Sequence, residues 1–136
     1  ESTALDLLEN FIHEVAHSLE STYGAEIYDE RLRSEFLGKR RRLYHLLQQE
    51  GFDQAPERLY QFTEYNESFD NFLASIVGYP TLLTLTMGLF ASPYGATSLQ
   101  EYFANGFEKY YTESPEYVKS VSPILYQKIR NIINDN

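Results

Sequence analysis

The stretch STALDLLENFIHEVAHSLE, residues 2–20, decides how the chain is read. Leu5, Leu8, Ile12, Val15, Ala16 and Leu19 recur along it at helical spacing, and Ser2 or Thr3 can cap its start. It predicts a helix over residues 2–20 that carries His13-Glu14-Val15-Ala16-His17, the spacing H-E-x-x-H. Residues four apart on a helix share a face, with Cβ atoms about 5–6 Å apart. Two imidazoles so placed can reach one zinc ion at about 2.0–2.1 Å. Glu14, beside the first histidine, can take a proton from a water that the ion activates. His13 and His17 are two of only three histidines in the chain. The third, His45, stands alone and reads as a structural residue.

Outward from this segment the chain reads as mainly helical. A polar hinge is expected around Tyr23-Gly24. A second helix is expected from Asp29 to Glu50, stopping at Gly51, with an apolar stripe of Leu32, Phe36, Leu43, Leu46 and Leu47. Pro56 opens a short third helix through Leu59, Tyr60 and Phe62. The run FLASIVGYPTLLTLTMGLFA, residues 72–91, has no charge and is long enough to span a membrane. Gly78-Tyr79-Pro80 interrupts it and three threonines make it mildly polar, so it reads as two short buried helices broken at Pro80. Residues 92–95 form a turn, Ser98 caps a helix to Tyr111, and Pro115 and Pro123 punctuate a last helical segment. No period-two strand pattern is convincing, and no repeat or low-complexity tract occurs.

With 136 residues, the chain suits one domain. A composition of 43% hydrophobic and 23% charged residues is that of a soluble globular protein, cytoplasmic or secreted. Opening on Glu1, without Met or a signal-peptide pattern, it is expected to be processed or cut from a longer chain. A net charge of −9 argues against nucleic acid as a partner. The absence of cysteine excludes disulfides and thiolate ligands, so any metal must sit on His, Asp or Glu. Lys39-Arg40-Arg41-Arg42 is a basic cluster in this acidic chain and reads as a solvated helix face. Residues Tyr110 and Tyr111 read as packing and surface.

A catalytic zinc site has three protein ligands and an open position. The chain's 20 acidic residues are too many for spacing to choose the third ligand. Glu20, three after His17, suits orienting an imidazole from outside the ligand set. Glu101 and Glu108 share a face of the later helix. Glu101 can be a ligand, but Ser98-Leu99-Gln100-Glu101 is also a capping box, which would account for it.

Two blocks carry a family resemblance. HEVAHSLE at 13–20, and SPYGATSLQEYFANGFEKYYTESPEYVKSVSPILYQKI from residue 92 on, resemble the zincin peptidase family of Mlc titration factor A. They are similar also to the catalytic domain of anthrax lethal factor. The resemblance covers residues 9–24 and 92–130. It implies a zinc-dependent peptidase acting on a peptide or protein, with His13, His17 and Glu101 as ligands and Glu14 as the base. It further implies that Tyr94, seven residues before Glu101, assists catalysis, and that Glu20 and Glu108 support the ligands. Asn105 stands where lethal factor has a second glutamate. The implied architecture is one helical zincin-like domain over 1–136. Its parts are the motif helix at 1–20, a long helical insertion at 24–92, and the third-ligand and C-terminal helices at 93–136. Zincins place a β-sheet before the motif helix; here twelve residues precede His13, so the sheet is lost, supplied from outside this chain, or replaced. The alternatives are a catalytically weak or inactive homologue that binds a partner, and a membrane-attached module built on 72–91.

Overall fold

The computed structural model describes residues 3–134. Those residues are mainly helical and contain no strand. Helix α1 spans Ala4–Ile27. Thr3 caps it through a capping box with Asp6, while Ser2, the other candidate cap, lies outside the described residues. The hinge expected at Tyr23-Gly24 is absent: the helix runs on through Gly24 to Ile27. A helical glycine costs about 1 kcal/mol relative to alanine. Complete burial of Ile27, worth about 1.5–3 kcal/mol, offsets that cost.

Helix α2, Glu30–Gln49, matches its expected limits closely. The Asp29 side chain accepts from the amides of Arg31 and Leu32, and Gly51 ends the helix at φ +87°. Its stripe of Leu32, Phe36, Leu43 and Leu47 is fully buried. The basic cluster does not behave as a solvated face. Arg40 is 1% exposed, sitting in the apolar stripe between Phe36 and Leu43. Its guanidinium donates to the carbonyls of Leu59, Phe62, Ala96 and Thr97, with the rings of Phe36 and Phe69 at 4.8 and 4.4 Å from it. Lys39 is half-buried and donates to the carbonyls of Leu89 and Val121 and to Ser122 Oγ. Only Arg41 and Arg42 face solvent. Carbonyl dipoles from four distant segments, which a local charge count does not include, make this burial tolerable.

Pro56 opens a 3-10 turn over Glu57–Gln61. Helix α3, Glu67–Asn71, passes into a π-helical turn over Phe72–Val77. Gly78, at φ +85°, ends that turn, and Pro80 lies in the first turn of α4, Tyr79–Leu85. The break in the uncharged run therefore falls at Gly78, and proline starts the next helix instead of ending the last one. The run is also not wholly buried. Phe72, Leu73, Val77, Leu82 and Phe90 join the core, whereas Ile76, Leu83 and Met87 are exposed. No described helix is long and apolar enough to cross a membrane.

A 3-10 turn over Pro93–Ala96 leads to α5, Leu99–Thr112, with α6 at Pro115–Val121 and α7 at Pro123–Asn134. Helix α5 packs against α1, α2, α6, α7 and the Pro93–Ala96 turn. Its sequence suits that central place: Leu99, Tyr102, Phe103, Ala104, Phe107 and Tyr110 leave little polar surface, so the helix is buried nearly all round. Gly106 sets the approach of α7, because a Cβ there would lie 2.2 Å from Leu125 Cδ2 and 2.9 Å from its Cγ. Leu125 is fully buried and cannot swing aside into solvent. Gly106→Ala is therefore expected to destabilise the fold by about 1–3 kcal/mol through overpacking. A urea midpoint equal to the parent's would show that α7 can yield.

Candidate metal centre

Helices α1 and α5 bring His13, His17 and Glu101 together across 84 to 88 residues of chain. Their candidate ligand atoms all lie within 4.8 Å of one another. His13 Nε2 is 3.2 Å from Glu101 Oε1, and His17 Nε2 is 3.5 Å from Glu101 Oε2. Donors at neighbouring corners of a tetrahedron around zinc stand about 3.3 Å apart, as follows from Zn–N and Zn–O lengths of about 2.0–2.2 Å. Both histidine–carboxylate separations fit such a site. The imidazole rings lie edge to face, with centroids 4.8 Å apart. The three side chains are 27%, 34% and 32% exposed, so water reaches the point they face.

The other nitrogen of each ring also faces a carboxylate. His17 Nδ1 is 3.2 Å from Glu20 Oε1, and His13 Nδ1 is 3.6 Å from Glu108 Oε1. The hydrogen bond to Glu20 favours the His17 tautomer with its proton on Nδ1 and leaves Nε2 free to bind an ion, whereas Glu108 stands beyond hydrogen-bond length from His13 and presents it only a nearby carboxylate. Burial pushes the Glu108 carboxyl above the usual range, with the nearby His13 pulling in the opposite direction.

Glu101 sits in the first turn of α5 because Ser98 caps that helix, its Oγ accepting from the Glu101 amide at 3.1 Å. The carboxylate itself turns toward the two histidines. Asn105, one turn on, donates from Nδ2 to the Glu101 carbonyl at 2.8 Å and approaches Glu101 Oε1 at 3.3 Å. Its own oxygen accepts from Ser92 Oγ at 2.7 Å. Asn105 thus braces the Glu101 carboxylate and ties it to the start of the Tyr94 turn.

Tyr94 is exposed, and its ring packs on Tyr79 with centroids 4.5 Å apart. With Asn105 and Glu108 it borders a cleft of about 730 Å³, whose walls include Leu83 of α4, Tyr117 of α6 and Glu9 of α1. From the uncharged run, Tyr79, Pro80, Leu83 and Ala91 line this cleft, while Phe72, Leu73, Val77 and Leu82 join the core. The Glu14 side chain is exposed and has no hydrogen-bond or ion-pair partner among the described residues. It lies about 60° around α1 from His17, by the helical repeat, and is not part of the cleft lining. His45 stacks edge-on against Tyr44, away from the cluster.

Sequence reasoning passed over Asn105, Ser92, Tyr28 and Gln100 as parts of this site. Tyr28 and Gln100 both bond Glu20. Gln100, the neighbour of Glu101, and Asn105, one turn beyond it on α5, carried a local signal. No protein-family model, curated protein or solved structure matches the chain. What the site can do is therefore read from its own residues.

Proposed function

We propose that the chain is a zinc-dependent peptidase of zincin-like architecture, with His13, His17 and Glu101 as the ligands. The observation that carries this reading is the double-sided arrangement of both imidazoles. Each Nε2 faces Glu101 and each Nδ1 faces a separate carboxylate. An ordinary histidine pair on a helix has no need of both. Zinc held there would supply Lewis-acid activation of a water and of a peptide carbonyl.

The chain's own residues do the rest. Glu14 accepts the water's proton on its carboxylate and passes it to the leaving amine, a role that its freedom from other partners suits. The Tyr94 hydroxyl donates a hydrogen bond to the oxyanion as charge develops on the carbonyl. Glu20 holds the His17 tautomer, Glu108 sets a carboxylate beside His13, and Asn105 keeps the Glu101 carboxylate in place. The cleft beside Glu108 and Tyr94 receives the peptide.

A second reading, a partner-binding homologue with weak or no catalysis, draws on one observation. Leu5, Leu7, Leu8 and Phe11 are all more than half exposed on the part of α1 that precedes the ligands. Apolar residues grouped in this way suit contact with another surface.

The test of the metal reading is stoichiometry. Protein purified without chelator, or dialysed against zinc and then freed of excess, should carry one zinc per chain by elemental analysis. A chain that stays metal-free under excess zinc would overturn the proposal.

A further inference from the structure

We infer that Tyr28 is a positioning residue for this centre: its hydroxyl locks the Glu20 carboxylate that orients the His17 imidazole. The inference rests on the zinc reading of the site. Tyr28 is the C-cap residue of α1, its amide donating to the Gly24 carbonyl at 2.9 Å. Its ring lies edge-on to the buried Phe103 of α5. From there its hydroxyl donates to Glu20 Oε1 at 2.7 Å, the same oxygen that stands 3.2 Å from His17 Nδ1. The other oxygen, Oε2, accepts from Gln100 Nε2 at 3.3 Å. Glu20 is thus held from the end of α1 and from α5, next to Glu101.

The physical need for such a lock is plain. A side-chain pair three residues apart on a helix is worth only about 0.2–0.5 kcal/mol, and a free glutamate samples many rotamers. The pair alone would hold His17 loosely. Tyr28 adds a bond from beyond the helix end, aimed along a different direction. The Glu20 side chain is 18% exposed, so little water competes for its oxygens. Burial first, and then the bond to Glu20 and its charge, push the Tyr28 hydroxyl well above its ordinary pKa, so it stays a neutral donor. Because its ring packs on Phe103, the seating of α5 that places Glu101 is also transmitted to His17. The ligands from the two helices therefore share one mechanical reference.

Tyr28→Phe removes only the hydroxyl, so the ring contact with Phe103 survives. Zinc alone is the probe, titrated in competition with a chromophoric chelator. The variant is expected to bind a few-fold to about 10-fold more weakly, the lower edge for outer-shell partners of a metal ligand. In the metal-free protein, nitrogen NMR of the His17 ring should show mainly the Nδ1-protonated tautomer in the parent and a mixture in the variant. In a Glu20→Ala background, Tyr28→Phe should cause no further loss, because its action runs through Glu20. Parental zinc affinity in Tyr28→Phe, or an undiminished loss in the Glu20→Ala background, would overturn the inference. A parent protein that binds no zinc overturns the reading beneath it instead. The tautomer measurement, which needs no metal, still decides whether Tyr28 orients the ring.

Discussion

Glu14→Ala is expected to retain one zinc per chain while peptide hydrolysis falls by about 10²–10⁴-fold, the usual contribution of a positioned general base. Glu14 is exposed on α1 and engages no other described side chain, so its removal opens no cavity and strands no buried group. Alanine also suits a helix interior better than glutamate does. The fold and the ligand pair should be untouched, and the loss should appear in turnover. Paired measurements of bound zinc and of cleavage across a peptide library separate the outcomes. A variant that sheds zinc or unfolds would show that Glu14 has a structural task and is not the base. Should the parent hold zinc and cleave nothing, the partner-binding reading takes precedence, and the exposed apolar part of α1 becomes the surface to probe.

Glu101→Ala should weaken zinc binding by more than about 100-fold, beyond the 10–100-fold range of outer-shell partners, because it removes a ligand and a charge together. Glu101→Gln should fall between alanine and the parent, keeping an oxygen but losing the charge. Both expectations follow from where the carboxylate points. Its two oxygens lie 3.2 and 3.5 Å from the two Nε2 atoms. The rival account treats Glu101 as half of a capping box. The structure keeps one half of that box, the Ser98 Oγ bond to the Glu101 amide. That bond uses the backbone and survives substitution. What alanine would then cost the helix is its first-turn charge, about 0.3–1 kcal/mol through the helix dipole. Unchanged zinc affinity with a small drop in thermal midpoint would therefore favour the cap over the ligand. Titrations of the three proteins with zinc decide this without a known substrate.

The basic cluster shows how a reading of local charge fails when distant carbonyls converge on it. Leu32, Phe36, Leu43 and Leu47 mark a buried face, and continuing the spacing from Phe36 lands on Arg40. That spacing was not extended to Arg40, because a run of four charges reads as a solvated face. Burial prevails because carbonyls from residues 59, 62, 96 and 97 converge on one guanidinium. Two of these, Ala96 and Thr97, belong to the segment between Tyr94 and the Ser98 cap. A cation read as surface thus helps to fix the segment that leads into Glu101.

What the sequence by itself determined is everything that depends on neighbours within a turn or two. The limits of α2 follow from an Asp29 cap and a Gly51 stop, and the start of α5 from the Ser98 cap. That His13 and His17 share a face follows from helical repeat alone. Glu20 beside His17 is likewise a three-residue relation. Even here local signals failed where packing outweighed them, as at Gly24, where burial of Ile27 carries the helix through an expected hinge. Only tertiary structure brings Glu101 and Glu108 to the histidines and Gln100 to Glu20. The reason is physical. These contacts join α1 to α5 across some 80 residues, and the packing of Phe103 and its neighbours sets the distance between the helices. Hydrogen bonds and metal coordination act over about 3 Å, whereas sequence spacing says nothing about separation between elements until a core has brought them together.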